Sequence, residues 1–317
     1  MELKTAGPQA KNKLIYEQLV DTLQLLFGKH PGYRPMNAKG IVCEGTFTPA
    51  ETARTLSRAS HLQGRTVPVT VRFSDFTGIP TIPDGDPNAS PRGMGIRFHL
   101  ENDAATELVA HSYDGFPVAT AEEFLAFLRA LADSSPGASK PTAMETFLAN
   151  HPRAKQFVAA PKPAPASFAS ESYYAVNAFR FTNQDGMSRY GRYQIHPVIA
   201  EKHLSAKEAA TRPANFLFDE LVERFKSGPV QFRVFVQLAA NGDPITDASQ
   251  AWPAERARVE LGTLSIKRTV ADSDAQQQSL GFDPTRLVDG IEASNDPLIK
   301  ARSEIYAISY RRRNSAN

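Results

Sequence analysis

The segment Asp296-Pro297-Leu298-Ile299-Lys300-Ala301-Arg302-Ser303-Glu304-Ile305-Tyr306-Ala307-Ile308-Ser309-Tyr310-Arg311-Arg312-Arg313 sets a tyrosine four residues after one arginine and seven before another. On a helix Arg302, Tyr306 and Arg313 share one face, because these offsets follow the 3.6-residue period, and two guanidiniums could then flank one phenol. A phenol titrates near ~10 in water, and fixed positive charge beside it favours the ionised form. Tyrosinate is an anionic oxygen ligand suited to ferric iron. On its own, an Arg/Tyr-rich end is more often a solvated basic helix, so the elements around it decide.

Those elements change period along the chain. Residues 10–28 carry Leu14, Ile15, Leu19, Leu23, Leu25 and Leu26 at helical spacing before Gly28, predicting an N-terminal amphipathic helix. Period-two runs then predict eight strands, at 39–47, 66–74, 93–100, 107–112, 173–182, 187–196, 230–239 and 260–269. Asn183-Gln184-Asp185-Gly186 joins the fifth to the sixth as a hairpin, which favours antiparallel pairing. Helical patterns fall at 49–59 opening at Thr48, at 120–132 opening at Thr120 with Glu123 three residues on, and at 214–226 ending near Gly228. The expected fold is α+β, an eight-stranded antiparallel barrel with surrounding helices, wide enough for side chains or one ligand. Residues 1–30 are read as a helical arm and 31–317 as a single domain. The Pro-rich segment 159–165 looks like a linker by composition but lies inside that domain, since the strands on its two sides need one another.

Composition removes several function classes. The chain has 317 residues with 36 basic against 34 acidic side chains, so no global field argues for nucleic acid or an anionic membrane. One cysteine, Cys43, permits no intrachain disulfide framework or thiolate metal cluster and reads as a small buried apolar residue. The N-terminus shows no apolar stretch after a basic start, and no run of about 18 apolar residues occurs; the expected location is cytoplasmic. There is no Gly-x-x-x-x-Gly-Lys-Ser/Thr loop, Gly-x-Gly-x-x-Gly, Gly-x-Ser-x-Gly or His-Glu-x-x-His. Asp84-Gly85-Asp86-Pro87-Asn88 lacks the spacing of a calcium loop and reads as a turn. His30, His61, His99, His151, His196 and His203 show no paired metal-ligand spacing.

Three further segments carry residues that secondary structure does not demand: Arg34-Pro35-Met36-Asn37-Ala38-Lys39-Gly40, Val71-Arg72-Phe73-Ser74, and Ser90-Pro91-Arg92-Gly93-Met94-Gly95-Ile96-Arg97-Phe98. With the C-terminal helix and Phe282–Pro297, in this order from about residue 30 to 313, the chain resembles the haem catalases, most closely their short, catalase-related peroxidase branch. That resemblance implies haem b as cofactor, Tyr306 as the proximal iron ligand and metal-binding residue, and Arg302 and Arg313 as the arginines around it. It implies propionate-binding roles for Arg34 and Arg72, where a bidentate guanidinium–carboxylate pair is the physical reason for arginine. The implied partners are hydrogen peroxide or a small organic peroxide and a small reductant. The short arm and the absence of the longer catalases' C-terminal domain suggest a homodimer or monomer.

One departure bears on chemistry. The family motif His-Ala-Lys-Gly reads Asn37-Ala38-Lys39-Gly40 here. The distal imidazole of the family moves a proton between the two peroxide oxygens; an amide has no pKa near neutrality, and loss of general acid–base catalysis costs roughly 10²–10⁴ in rate. Impaired peroxide turnover is therefore expected, with Ser74, which orients the family's histidine, facing an amide. At Leu108-Val109-Ala110-His111-Ser112-Tyr113, where the longer catalases carry a Gly-Asn-Asn run, ungapped alignment puts His111 or Ser112 at the asparagine that helps hold peroxide, and His111 is a candidate catalytic residue. Two alternatives stay open: hydroperoxide lyase or isomerase chemistry of the allene-oxide-synthase type, and a non-catalytic haem-binding protein.

Overall fold

Over Val67–Ser74, Val69, Val71 and Phe73 alternate with Thr70, Arg72 and Ser74, a pattern that turns one face of a strand into an apolar interior and the other outward. The computed structural model describes residues 8–315 and shows this pattern repeated around a closed sheet. Its first half runs α1 (Pro8–Phe27), β1 (Gly40–Pro49), α2 (Ala53–Leu56), β2 (Val67–Ser74), β3 (Gly93–His99), β4 (Ala105–His111), α3 (Ala121–Ala132), α4 (Ala143–Asn150) and α5 (Pro152–Ala159). Then come β5 (Tyr173–Tyr174), β6 (Phe179–Thr182), β7 (Ser188–Pro197), α6 (Ala206–Ala210), α7 (Phe216–Phe225) and β8 (Val230–Leu238). The chain ends with β9 (Arg258–Thr269), α8 (Ser273–Ser279), β10 (Ile291–Ala293) and α9 (Pro297–Asn314).

Neighbouring strands run β7-β5-β4-β3-β2-β1-β9-β8, and β8 pairs back onto β7, so eight strands close a barrel, all antiparallel. Strands β6 and β10 extend the ladder from β7. The lumen is filled: Phe73, Phe168, Tyr173 and Phe232 pack with ring centroids 5.3–6.2 Å apart. Cys43 is buried in this core, and burial pushes its thiol up to about 12.

Helix α1 lays Leu19 and Leu23 against Ala121, Leu125 and Leu128 of α3 and Ala301 of α9. Burying each leucine fully contributes about 1.5–3 kcal/mol, which ties the N-terminal helix to the C-terminal one. Thr120 caps α3 by accepting from the Glu123 amide at 3.2 Å, and Glu123 accepts from Ala119 N at 3.0 Å. Among the described residues no helix is long and apolar enough to cross a membrane.

Two expectations about elements are corrected. The run 173–182 splits into β5 and β6, because Asn177 between them is buried with its amide bonded to side chains of the C-terminal region, not to a ladder. The helix expected over 49–59 shrinks to Ala53–Leu56: Thr48 and Pro49 are held in the ladder opposite Thr263 and Gly262, so the chain is still strand where a helix was to begin. The hairpin stands as expected, Gly186 taking the left-handed backbone (φ +80°) and Asn183 exchanging backbone and side-chain bonds with Met187.

Candidate functional site

The outward face of the barrel wall carries Arg72 and Ser74 on β2, Gly93 and Gly95 on β3, and Val109 and His111 on β4. Between this face and helices α1, α3 and α9 lies a cavity with about 1370 Å³ free of protein atoms, part of it open to solvent. The ligand space is therefore outside the barrel, not within its lumen. The glycines make the wall thin. A Cβ on Gly95 would stand 2.8 Å from the Phe282 ring, and one on Gly93 2.5 Å from Ser74 Oγ and 2.9 Å from Asn37 Nδ2. Leu23, Phe116, Phe124, Leu298 and Ile305 make most of the remaining lining apolar.

Asp296 caps α9 by accepting from Leu298 N at 2.9 Å, with Pro297 in the first turn, so the helix starts where its arginine and tyrosine come to face the cavity. Arg302 donates to Tyr306 Oη from Nη2 at 3.0 Å and from Nε at 3.3 Å. Its Nη1 donates to Asn177 Oδ1 at 2.5 Å, and Asn177 Nδ2 donates to Asp296 Oδ2 at 2.8 Å. The guanidinium is thus held against the phenol by a buried amide and a buried carboxylate. Arg313, expected to flank the phenol from the other side, is not bonded to it. It donates to Gln278 O at 3.0 Å and Leu280 O at 2.7 Å.

Arg34, Arg72 and Arg313 instead form a cluster at the end of α8. Arg34 also donates to Leu280 O, and Arg72 reaches Gln277 Oε1 from Nη2 at 2.9 Å and from Nε at 3.1 Å. Burial lowers all three guanidiniums, Arg34 well below its usual range, Arg72 to about 9 and Arg313 to about 10; positive neighbours add to the effect for Arg34 and Arg72. A guanidinium stays protonated in proteins, so these shifts express unneutralised charge. Among the described residues none of Arg34, Arg72, Arg302 and Arg313 is ion-paired with a carboxylate. Buried cations without anions call for a ligand that brings carboxylates. An apolar slot rimmed by such cations, with a phenol under a guanidinium, is the donor set that fits haem.

On the barrel side, Asn37 sits in the left-handed region (φ +56°), which asparagine and histidine enter more readily than other side chains. Its Nδ2 donates to Asp75 O at 3.0 Å and Ser74 Oγ at 3.3 Å, and its backbone oxygen accepts from Arg72 Nη2 at 2.9 Å. Beneath it, Arg92 and Asp75 form a fully buried ion pair. His111 also lines the cavity, and neither of its ring nitrogens has a hydrogen-bond partner among the described residues. Burial first, then the charges of Arg302 and Lys162, pull its imidazole down to about 3. A buried polar group left unpaired costs about 1–3 kcal/mol.

Every site residue expected from sequence except Arg313 lines this one cavity: Arg34, Asn37, Arg72, Ser74, His111, Arg302 and Tyr306. Spacing gave no sign of Asn177 or Gln277, which act through contacts 125 and 205 positions away in the chain. Asp296 had a signal, the Asp-Pro pair that opens a helix.

A barrel of this topology with a cavity between its wall and a Tyr-bearing C-terminal helix defines a class, and the comparisons agree with it. The family model described as Catalase matches residues 2–317. The catalase-related peroxidase of Mycolicibacterium paratuberculosis is 36% identical over 300 residues, covering 94% of each chain. That of Synechococcus elongatus is 34% identical, covering 94% of this chain and 88% of the relative. The crystal structure of a fungal catalase matches with a TM-score of 0.80 at 20% identity, over 99% of this chain and 65% of that one. The chain belongs to the catalase family, whose members are haem-dependent oxidoreductases acting on peroxide.

Proposed function

We propose that this chain is a catalase-related peroxidase that binds haem b through Tyr306 and acts slowly on hydrogen peroxide or small organic peroxides, a small reductant completing the cycle. The observation that carries the reading is the set of three guanidiniums lining one cavity, Arg34, Arg72 and Arg302, none ion-paired with a carboxylate among the described residues and one of them 3.0 Å from the Tyr306 hydroxyl. Arg302 favours the phenolate, while Arg34 and Arg72 face the propionates and Arg313 adds positive charge beside them. Bound haem would supply the redox chemistry of O–O cleavage. The apolar lining excludes water and strengthens each electrostatic contact.

Asn37 limits the rate. Its Nδ2 is committed to Ser74 and Asp75, and an amide neither accepts nor delivers a proton near neutral pH. The left-handed backbone at this position also suits histidine, so Asn37→His is a clean comparison. Protein loaded with haemin is expected to show the spectrum of a tyrosinate-ligated ferric haem, altered in Tyr306→Phe. Oxygen evolution from hydrogen peroxide is expected to rise on the order of 10²-fold or more in Asn37→His. Equal oxygen evolution by the two proteins would remove Asn37 as the limiting residue.

A further inference from the structure

The antiparallel ladders set Ser74 opposite Gly93 and Gly93 opposite His111, one row across β2, β3 and β4. Directly opposed residues project to the same face with Cβ atoms about 4.5–5.5 Å apart. Gly93 has no side chain, and the space above it is shared by Ser74 Oγ and Asn37 Nδ2, 2.5 and 2.9 Å from the position a Cβ would occupy. The Asn37 amide and the His111 imidazole are therefore neighbours across a glycine gap in the cavity wall.

His111 also stands out by elimination. The polar side chains lining the cavity are arginines, which accept no proton, the amides of Asn37 and Asn177, the hydroxyls of Ser74, Ser309 and Tyr306, and His111; amides and aliphatic hydroxyls are not bases near neutral pH. A neutral imidazole with no hydrogen bond to the described residues keeps its lone pair free. The torsion that sets the ring plane is broad for histidine, so a nitrogen can turn toward a ligand.

We propose that His111 is the proton acceptor of this pocket, taking the proton of a weak acid HX, hydroperoxide included, as the anion X⁻ binds on the cavity side of the barrel wall. An N–H bond forms at the imidazole as the H–X bond breaks, and the bound anion favours the resulting imidazolium. Residual peroxide turnover in the presence of Asn37 runs through this group. The inference rests on the reading that haem binds over Tyr306.

Facing His111 are Arg302 from α9, Lys162 from the segment after α5, and Tyr174 opposite it on β5. Arg34 and Arg72 share the cavity. The guanidiniums hold constant charge between pH 5 and 8. Tyr174, pushed up to about 12 chiefly by burial, stays neutral there.

The test is cyanide binding to the haem-loaded full chain, followed by absorption from pH 5 to 8. With an internal acceptor, hydrogen cyanide is taken up whole and its Kd does not change with pH. Without one, the proton leaves to solvent and Kd falls about tenfold per pH unit. Wild type is expected to be flat, with His111→Gln and His111→Asn each showing the tenfold slope. A sloping wild type, or flat variants whose circular dichroism matches wild type, overturns the assignment. A chain that takes up no haem, seen before cyanide is added, overturns it together with the proposed function; haem uptake with a sloping wild type overturns His111 alone.

Discussion

At the scale of single residues, His61 is a second imidazole at odds with its surroundings. It lies in the barrel core 5.0 Å from the Phe98 ring and 6.3 Å from Phe47, with Nδ1 unpartnered among the described residues, and burial pulls it down to about 4. Its folded pKa is below the unfolded ~6.5, so the neutral form is favoured on folding. That stability is complete above pH 6.5 and is lost as pH falls toward 4, by about 2 kcal/mol at pH 5 and about 3 kcal/mol below pH 4. Urea unfolding at pH 7.5 and pH 5 is expected to show wild type losing about 2 kcal/mol more than His61→Leu; equal losses would contradict it. The pairing of Arg302 with Tyr306 was legible in the sequence, because i and i+4 is a local relation fixed by helix geometry. The place of Arg313 was not. At i+11 the helical drift and the length of the side chain let it reach the carbonyls at the end of α8.

At the scale of elements, α8 organises the arginines. Its Gln278 carbonyl accepts from Arg313, the carbonyl of its C-cap Leu280 accepts from Arg34 and Arg313, and its Gln277 holds two donors of Arg72. A hydrogen bond to a charged group contributes about 1.5–3 kcal/mol, so Gln277→Ala is expected to speed haem release by about tenfold or more. Transfer of haem to an apo-globin acceptor measures this, and an unchanged release rate would mean Arg72 needs no such support. No helix was expected at α8, because Ser273–Ser279 is polar apart from Ala275 and carries no apolar period; the local cue there is Asp272 as N-cap. The capping boxes Thr142/Glu145 and Ser205/Glu208 likewise mark α4 and α6, short helices whose apolar faces are too brief for a periodic signal. The strands were easier, since alternation over seven or more residues survives in β2, β3, β7 and β8, and in β9 shorter runs alternate on either side of Gly262.

At the scale of the molecule, the number of strands was legible but the side of the sheet that holds the ligand was not. Both faces of β2–β4 are covered, one by the aromatic lumen and the other by α1, α3 and α9, so alternation alone does not distinguish inside from outside. Closure depends on β7 pairing with β8, and the cavity then rests on helices from both ends of the chain. Stability and ligand loading should be linked through that arrangement. Protein lacking haem must hold Arg34, Arg72 and Arg313 close together without neutralising anions, and a dicarboxylate porphyrin supplies the missing charge. Haemin at 100 times its Kd should stabilise the fold by about 2.7 kcal/mol, raising the Tm with ligand concentration. Haemin dimethyl ester keeps the ring and the iron but offers no carboxylate, and it is expected to bind at least about tenfold more weakly and to raise the Tm less. Arg72→Leu should narrow the difference between the two porphyrins, because it removes one of the cations that distinguish them. If the ester stabilises the protein as well as haemin does, the arginine cluster has another purpose and the carboxylate reading fails.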